Sequence, residues 1–195
     1  MISIRQERSI DIMARERLLD AVFGPSRVLK TSERLREGRL AADGLSFVAL
    51  KNGRLVGTAR LWNIAAGLGR PALLLGPVAV PENSRRRGIG TKLVNRALSE
   101  ARRLGHAAVL LIGDAACYAR FGFDARATAT LRLPGPFEPE RFLGLELVPA
   151  ALDDARGLVR ATGRRCRRAC LHSSPAYCLC GRQWRSPPDL QSSME

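Results

Sequence analysis

The chain has 195 residues, 46% of them apolar, and carries a formal net charge of +14. That length suits one domain with a true core, or one domain and a tail, and no apolar run approaches the ~20 residues of a membrane span. The first residues, MISIRQERSIDIMARER, are charged from Arg5 onward, which excludes a signal-peptide apolar region and makes the cytoplasm the expected compartment.

The charge invites a nucleic-acid reading, but its make-up argues against one. Among the 32 basic residues only Lys30, Lys51 and Lys92 are lysine, and arginine with abundant alanine fits a GC-rich coding bias as well as a basic patch. No RNP-like aromatic run or recognition-helix pattern accompanies the arginines. The charge therefore suits an acidic substrate or cofactor better than a dedicated nucleic-acid role.

In chain order, Ile2–Gln6 alternates as a short strand. Ser9 or Asp11 can cap a helix towards Phe23, with Ile12, Leu18, Leu19 and Val22 as its apolar stripe, and Gly24-Pro25 ends it. A second helical stretch, about Val28–Glu37, is so charged that a surface position is expected. Leu45–Leu50 and Leu55–Trp62 flank Lys51-Asn52-Gly53-Arg54, a hairpin signal because Asn-Gly accepts positive φ. Gly67–Arg70 turns the chain into Leu73–Val80, a buried strand by length and apolarity. An amphipathic helix follows, with Ile89, Leu93, Ala97, Ala101 and Leu104 on one face, and then a further strand, Ala107–Ile112. This strand–turn–helix–strand unit calls for a parallel pair with a right-handed crossover. Residues 131–150 hold two more strand candidates, read as a hairpin around a Pro/Gly loop, with Phe142–Val148 pairing at the end of the sheet. The whole is a mixed sheet with helices on both faces.

The turn before the long helix carries the chemistry. Arg85-Arg86-Arg87-Gly88-Ile89-Gly90-Thr91 joins a strand end to a helix start. The glycines let backbone approach a ligand, and the first-turn N–H groups lack intrahelical partners. With the helix dipole they form an anion site suited to a diphosphate, to which the arginines add charge and bidentate donors. A Walker A loop, G-x-x-x-x-G-K-S/T, is broken by the threonine in Gly90-Thr91-Lys92, and the dinucleotide fingerprint lacks its third glycine.

Arg85, Gly88 and Gly90 do fit the R/Q-x-x-G-x-G/A signature, and Tyr118-Ala119-Arg120-Phe121-Gly122-Phe123 fits Y-x-R/K-x-G-F. On these two motifs, with a strand between them, the chain resembles bacterial members of the GNAT superfamily of acyl-CoA-dependent N-acetyltransferases over roughly residues 1–150. The resemblance implies acetyl-CoA as cofactor and the amine of a small molecule or protein as acceptor, with a homodimer left open and, as the alternative to turnover, a non-catalytic acyl-CoA-binding or sensing module. It implies a bulge in the strand holding Gly76-Pro77, where a proline cannot donate to the ladder, and a V-shaped gap beside it. The pantetheine arm would pair there with backbone such as that of Val78, Ala79 and Val80, and Arg85, Arg86, Arg87, Gly88, Ile89, Gly90 and Thr91 would hold the diphosphate.

Tyr118 is, by the same resemblance, the general acid that protonates the departing thiolate; the alternative is a packed ring with its hydroxyl bonded to backbone. Phe121 and Phe123 read as core and Gly122 as a turn. No carboxylate lies in Leu73–Val80, so the base is open between Glu82, Asp114 and a water relay, with Asp114 better read as a helix cap and His106 as a helix-end residue. Arg120 reads as a cofactor or substrate contact or a solvated side chain, and Trp62, Asn63, Phe137 and Arg141 are candidate acceptor contacts. Cys117 reads as a small buried residue.

The acyltransferase domain is placed at 1–150, its C-terminal end at 151–162, and a disordered Arg/Cys/Pro-rich tail at 163–195. In that tail Cys166, Cys170, Cys178, Cys180 and His172 have C-x3-C and C-x-C spacings, which are not those of a zinc knuckle, so no metal is expected.

Overall fold

The computed structural model describes residues 1–166; the tail and zinc readings for 167–195 lie outside the described residues. A seven-stranded mixed sheet forms the middle layer. Along one path it runs β1 (Ile2–Gln6), β2 (Ser46–Lys51), β3 (Arg54–Ala66), β4 (Arg70–Ala79), β5 (Ala108–Ile112) and then β7 (Phe142–Glu146). The seventh strand, β9 (Arg160–Ala161), pairs with the far end of β3. Neighbours are antiparallel except β4 and β5, which are parallel and joined by α2 (Ile89–Arg103). No helix among the described residues is long and apolar enough to cross a membrane.

The two faces are set by strand alternation. Ala59 and Leu61 of β3 face α2 and share its core with Phe47, Leu93 and Ala97. Thr58, Arg60 and Trp62 face the opposite way, towards α1 (Ile12–Phe23), whose Leu18 and Leu19 pack on Ala79. Gly57 lets α2 lie close on the sheet, since a Cβ there would stand 2.9 Å from Leu93 Cδ1. The hairpin joining β2 and β3 turns at Asn52 and Gly53, both at positive φ (50° and 75°), as its sequence predicts.

Three expectations are corrected. The stretch expected as a surface helix over 28–37 is two 3-10 turns, Pro25–Leu29 and Thr31–Leu35, broken at extended Lys30, with Leu35 and Arg36 buried. Its charges are tolerated inside because they pair: Arg36 with Glu33 at 2.9 Å and Arg27 with Glu16 at 2.5 Å. Asp11 caps through its carboxylate, but backwards, taking the Arg8 N–H at 2.8 Å and the Arg5 guanidinium at 2.6 Å. The strands of 131–150 do not pair as a hairpin: β6 (Leu131–Arg132) runs parallel to β8 (Gly157–Leu158), while β7 joins β5. Beyond these, residues 164 and 166 bond to the turn after Leu35: the Arg164 carbonyl accepts from Leu40 N and Cys166 N donates to Gly38 O.

Candidate active site

The sheet splits where the proline falls. β4 and β5 pair at Leu73↔Val109 and Leu74↔Leu110, and no further pairing between them follows towards Val80. On its other side β4 stays paired to β3, but the register slips: Leu75 faces Leu61 and Val78 faces Ala59, so Gly76 and Pro77 bulge opposite Arg60. The Gly76 carbonyl is held by the Trp62 indole N–H at 2.8 Å. The backbone of Val78 and Ala79 is thus fixed on one edge and free on the edge facing the gap.

At the C-terminal end of β4 the chain enters the arginine turn. Arg86 sits at φ 60°, an uncommon conformation for a side-chain-bearing residue, and Gly88 at φ 71°. Gly88 is the N-cap of α2 and provides no side-chain cap, and the first helical bond runs from Lys92 N to Gly88 O at 2.9 Å. The N–H groups of Ile89, Gly90 and Thr91 therefore have no protein partner among the described residues. Arg85, Arg86 and Arg87 are exposed around them; the Nε of Arg85 also reaches back to Val80 O at 3.4 Å and staples the turn. A Cβ on Gly90 would meet only Val80 Cγ2, at 3.9 Å, so space remains in front of the helix start. An uncapped helix end, free cations and an unpaired strand edge fit a long diphosphate-bearing thiol ester.

A cavity of about 290 Å³ occupies the gap, with Leu75, Pro77 and Val78 on one wall and Ile112, Gly113 and Tyr118 on the other. Tyr118 ends the short helix α3 (Ala115–Tyr118), which Asp114 caps by accepting from Ala116 N at 2.8 Å. The ring rests edge-on against Phe123 at 5.9 Å and tilted against Phe121 at 6.2 Å. Its hydroxyl has no hydrogen-bond partner among the described residues, so the alternative of a backbone-bonded phenol is not what the fold builds. Burial, with the neighbouring Cys117 thiol, pushes the Tyr118 pKa above its ordinary value of 10.0.

A second, polar cavity of about 420 Å³ adjoins the first across Pro77, between α1, the turns of 25–35 and β3. Arg27, Glu33 and Arg36 line both. Of the acceptor candidates, Trp62 lines the polar cavity and Arg141 the gap. Phe137 instead packs on Phe142 at 5.7 Å, and the Asn63 carbonyl serves the backbone of Thr162 and Gly163. Glu82 is exposed in the turn after β4, and Cys117 is exposed rather than buried. His106 closes α2 through its backbone N–H to Ala101 O at 3.0 Å, and burial lowers its pKa. Three residues that line the cavities were not singled out in the sequence: Gly113, Glu33 and Arg60. Arg60 leaves a signal, a charged residue in an otherwise apolar strand centre on the same face as Trp62.

Known proteins share this fold. The structure matches a GNAT family N-acetyltransferase, YhbS, from Escherichia coli in complex with CoA, with a TM-score of 0.71 and 32% identity, covering 83% of this chain and 89% of that one. It also matches a GNAT family acetyltransferase from Brucella melitensis in complex with acetyl-CoA, with a TM-score of 0.61 and 26% identity, over 83% of this chain and 96% of that one. In sequence it is 38% identical over 85 residues to the uncharacterized N-acetyltransferase YhbS of Escherichia coli strain K12, a stretch that is 44% of this chain and spans about half, 51%, of that relative's length. Residues 14–123, from α1 through the tyrosine segment, match the Acetyltransferase (GNAT) family, and the chain belongs to it.

Proposed function

We propose that this chain is an acetyl-CoA-dependent N-acetyltransferase acting on a primary amine, with Tyr118 as general acid. When bound, acetyl-CoA supplies an activated acyl carbonyl and a thiolate leaving group. The N–H groups of Ile89, Gly90 and Thr91, with Arg85, Arg86 and Arg87 around them, hold its diphosphate. The free edge of β4 from Val78 through Ala79 to Val80 offers main-chain groups to the pantetheine amides, and the bulge at Gly76-Pro77 keeps β5 from taking them. The relatives crystallised with CoA and acetyl-CoA support the same cofactor here.

Tyr118 holds its proton at Oη. Burial keeps the phenol neutral well above neutral pH, so it can donate throughout the working range. The observation that carries the reading is this hydroxyl, without a partner among the described residues, on a side chain that lines the cavity where the strands part. Asp114, engaged as a cap, is a poor base, and Glu33, which lines both cavities, is better placed to receive the amine proton directly or through water.

The test is thiol release with acetyl-CoA and a panel of primary amines, for the wild type and Tyr118→Phe. The variant is expected to lose about a hundredfold in kcat while its CoA affinity stays the same. Unchanged turnover would remove Tyr118 from the chemistry, and a wild type that does not bind CoA would end the transferase reading.

A further inference from the structure

The polar cavity beside the gap holds an arginine whose acidic neighbours are largely engaged by other arginines. Glu16 is shared between Arg15 and Arg27, Glu33 pairs with Arg36, and Glu7 Oε1 is taken by Arg15. What remains for Arg60 is Glu7 Oε2 at 3.5 Å, an ion-pair distance without a hydrogen bond. That oxygen is buried and has no hydrogen-bond partner among the described residues, in a side chain only 7% exposed. Arg60 Nε donates weakly to Ser46 Oγ at 3.3 Å. Its two terminal amino groups donate to nothing among the described residues, although the side chain is only 18% exposed.

The guanidinium is nevertheless held in place. It stacks over the Trp62 ring at 4.7 Å, and Trp62 is itself pinned to Gly76 O. Burial, with the nearby charge of Arg15, lowers the Arg60 pKa to about 10. A cation positioned this firmly, with a forked pair of free amino groups on a cavity wall, is costly for folding and suited to an oxyanion.

We propose that the acceptor is an amine that also carries an oxyanion, a carboxylate or a phosphate, which Arg60 binds in the polar cavity while the amine reaches past Pro77 and Glu33 to Tyr118. This rests on the transferase reading. Trp62 is then a positioning residue for Arg60. The bulge that opens the gap places Arg60 opposite Gly76 and Pro77, so one irregularity in β4 builds both the gap and the anchor.

The experiment compares γ-aminobutyrate, 2-aminoethyl phosphate and butylamine as acceptors, by thiol release and by calorimetric binding in the presence of CoA. At least one anionic amine is expected to exceed butylamine in kcat/KM by about tenfold, and the better of the two identifies the anion. Butylamine equal to or better than both would overturn the proposal while leaving the transferase reading intact. In Arg60→Met the preference is expected to collapse to about threefold or less, with an unchanged CoA titration as the check on folding. A preference that survives there would also overturn it. Should the variant not fold, the wild-type ratio decides alone. A wild type that binds CoA but releases no thiol tells against the transferase reading, and calorimetry then decides the anchor: tighter binding of an anionic amine than of butylamine supports it, and equal or weaker binding overturns it.

Discussion

The ring of Tyr118 lies where a side chain on Gly113 would be: a Cβ there would stand 2.5 Å from Tyr118 Cε2 and 3.0 Å from Cδ2. Gly113 follows β5 directly, its N–H bonded to Arg141 O at 2.9 Å, so the backbone cannot yield easily. The glycine is there for the room it leaves, and that room lets the phenol settle against the end of β5 and face the gap.

Gly113→Ala should therefore displace the Tyr118 ring without touching the cofactor turn. A shift of about 1 Å is enough to cost about tenfold or more in kcat, and overpacking should cost about 1–3 kcal/mol of stability. CoA affinity, read by calorimetry, should stay within error of the wild type. Wild-type kcat in this variant would show that the ring position does not matter.

The pH dependence follows from the same residue. The phenol must be protonated to donate, so the alkaline fall in kcat belongs above the ordinary tyrosine value of 10.0, because burial raises the pKa. The Cys117 thiol adds to that shift, so in Cys117→Ser the fall should move to lower pH. A pH–rate profile of both proteins checks this. A shift towards higher pH in the variant would contradict the assignment.

At the start of α2 the expected variant is Gly90→Glu. A Cβ fits there, with Val80 Cγ2 at 3.9 Å, so the fold should hold, but a carboxylate would stand against the diphosphate. CoA affinity should fall about tenfold to a hundredfold, while Gly90→Ala should lose far less. Thermal melts without ligand should be alike for all three proteins.

Asp11 gives a stability prediction independent of catalysis. The Arg5 hydrogen bond, then the Arg8 N–H, hold its pKa below the ordinary carboxylate value, against the opposing effect of burial. Its contribution is thus complete above that ordinary value and is lost as pH falls through the lower folded one. Asp11→Asn should cost about 1 kcal/mol at neutral pH and flatten the acid side of the curve of melting temperature against pH. An acid limb as steep as in the wild type would locate that dependence elsewhere.

Local signals were legible where one stretch of chain decides its own conformation. Asn52-Gly53 specified a hairpin because both residues accept positive φ, and the glycine turn before Ile89 specified a helix start without a side-chain cap. The 28–37 stretch misled because its charges look solvated one at a time, whereas Arg27 and Arg36 meet Glu16 and Glu33 inside. The strand at Leu131 found Gly157 rather than Phe142 because pairing partners depend on where the chain returns, which periodicity does not encode.

By itself the sequence determined most of the sheet strands, the long helix α2 and the two motifs that match the family, since periodicity, glycine conformations and motif spacing are properties of neighbouring residues. Only the tertiary structure decided how far β4 and β5 stay paired, that Gly113 makes room for Tyr118, and that Arg60 ends in a cavity wall with Glu7 Oε2 at 3.5 Å. Those depend on which distant atoms share a small volume of low dielectric, and burial of a charge or a ring gets its meaning from that company.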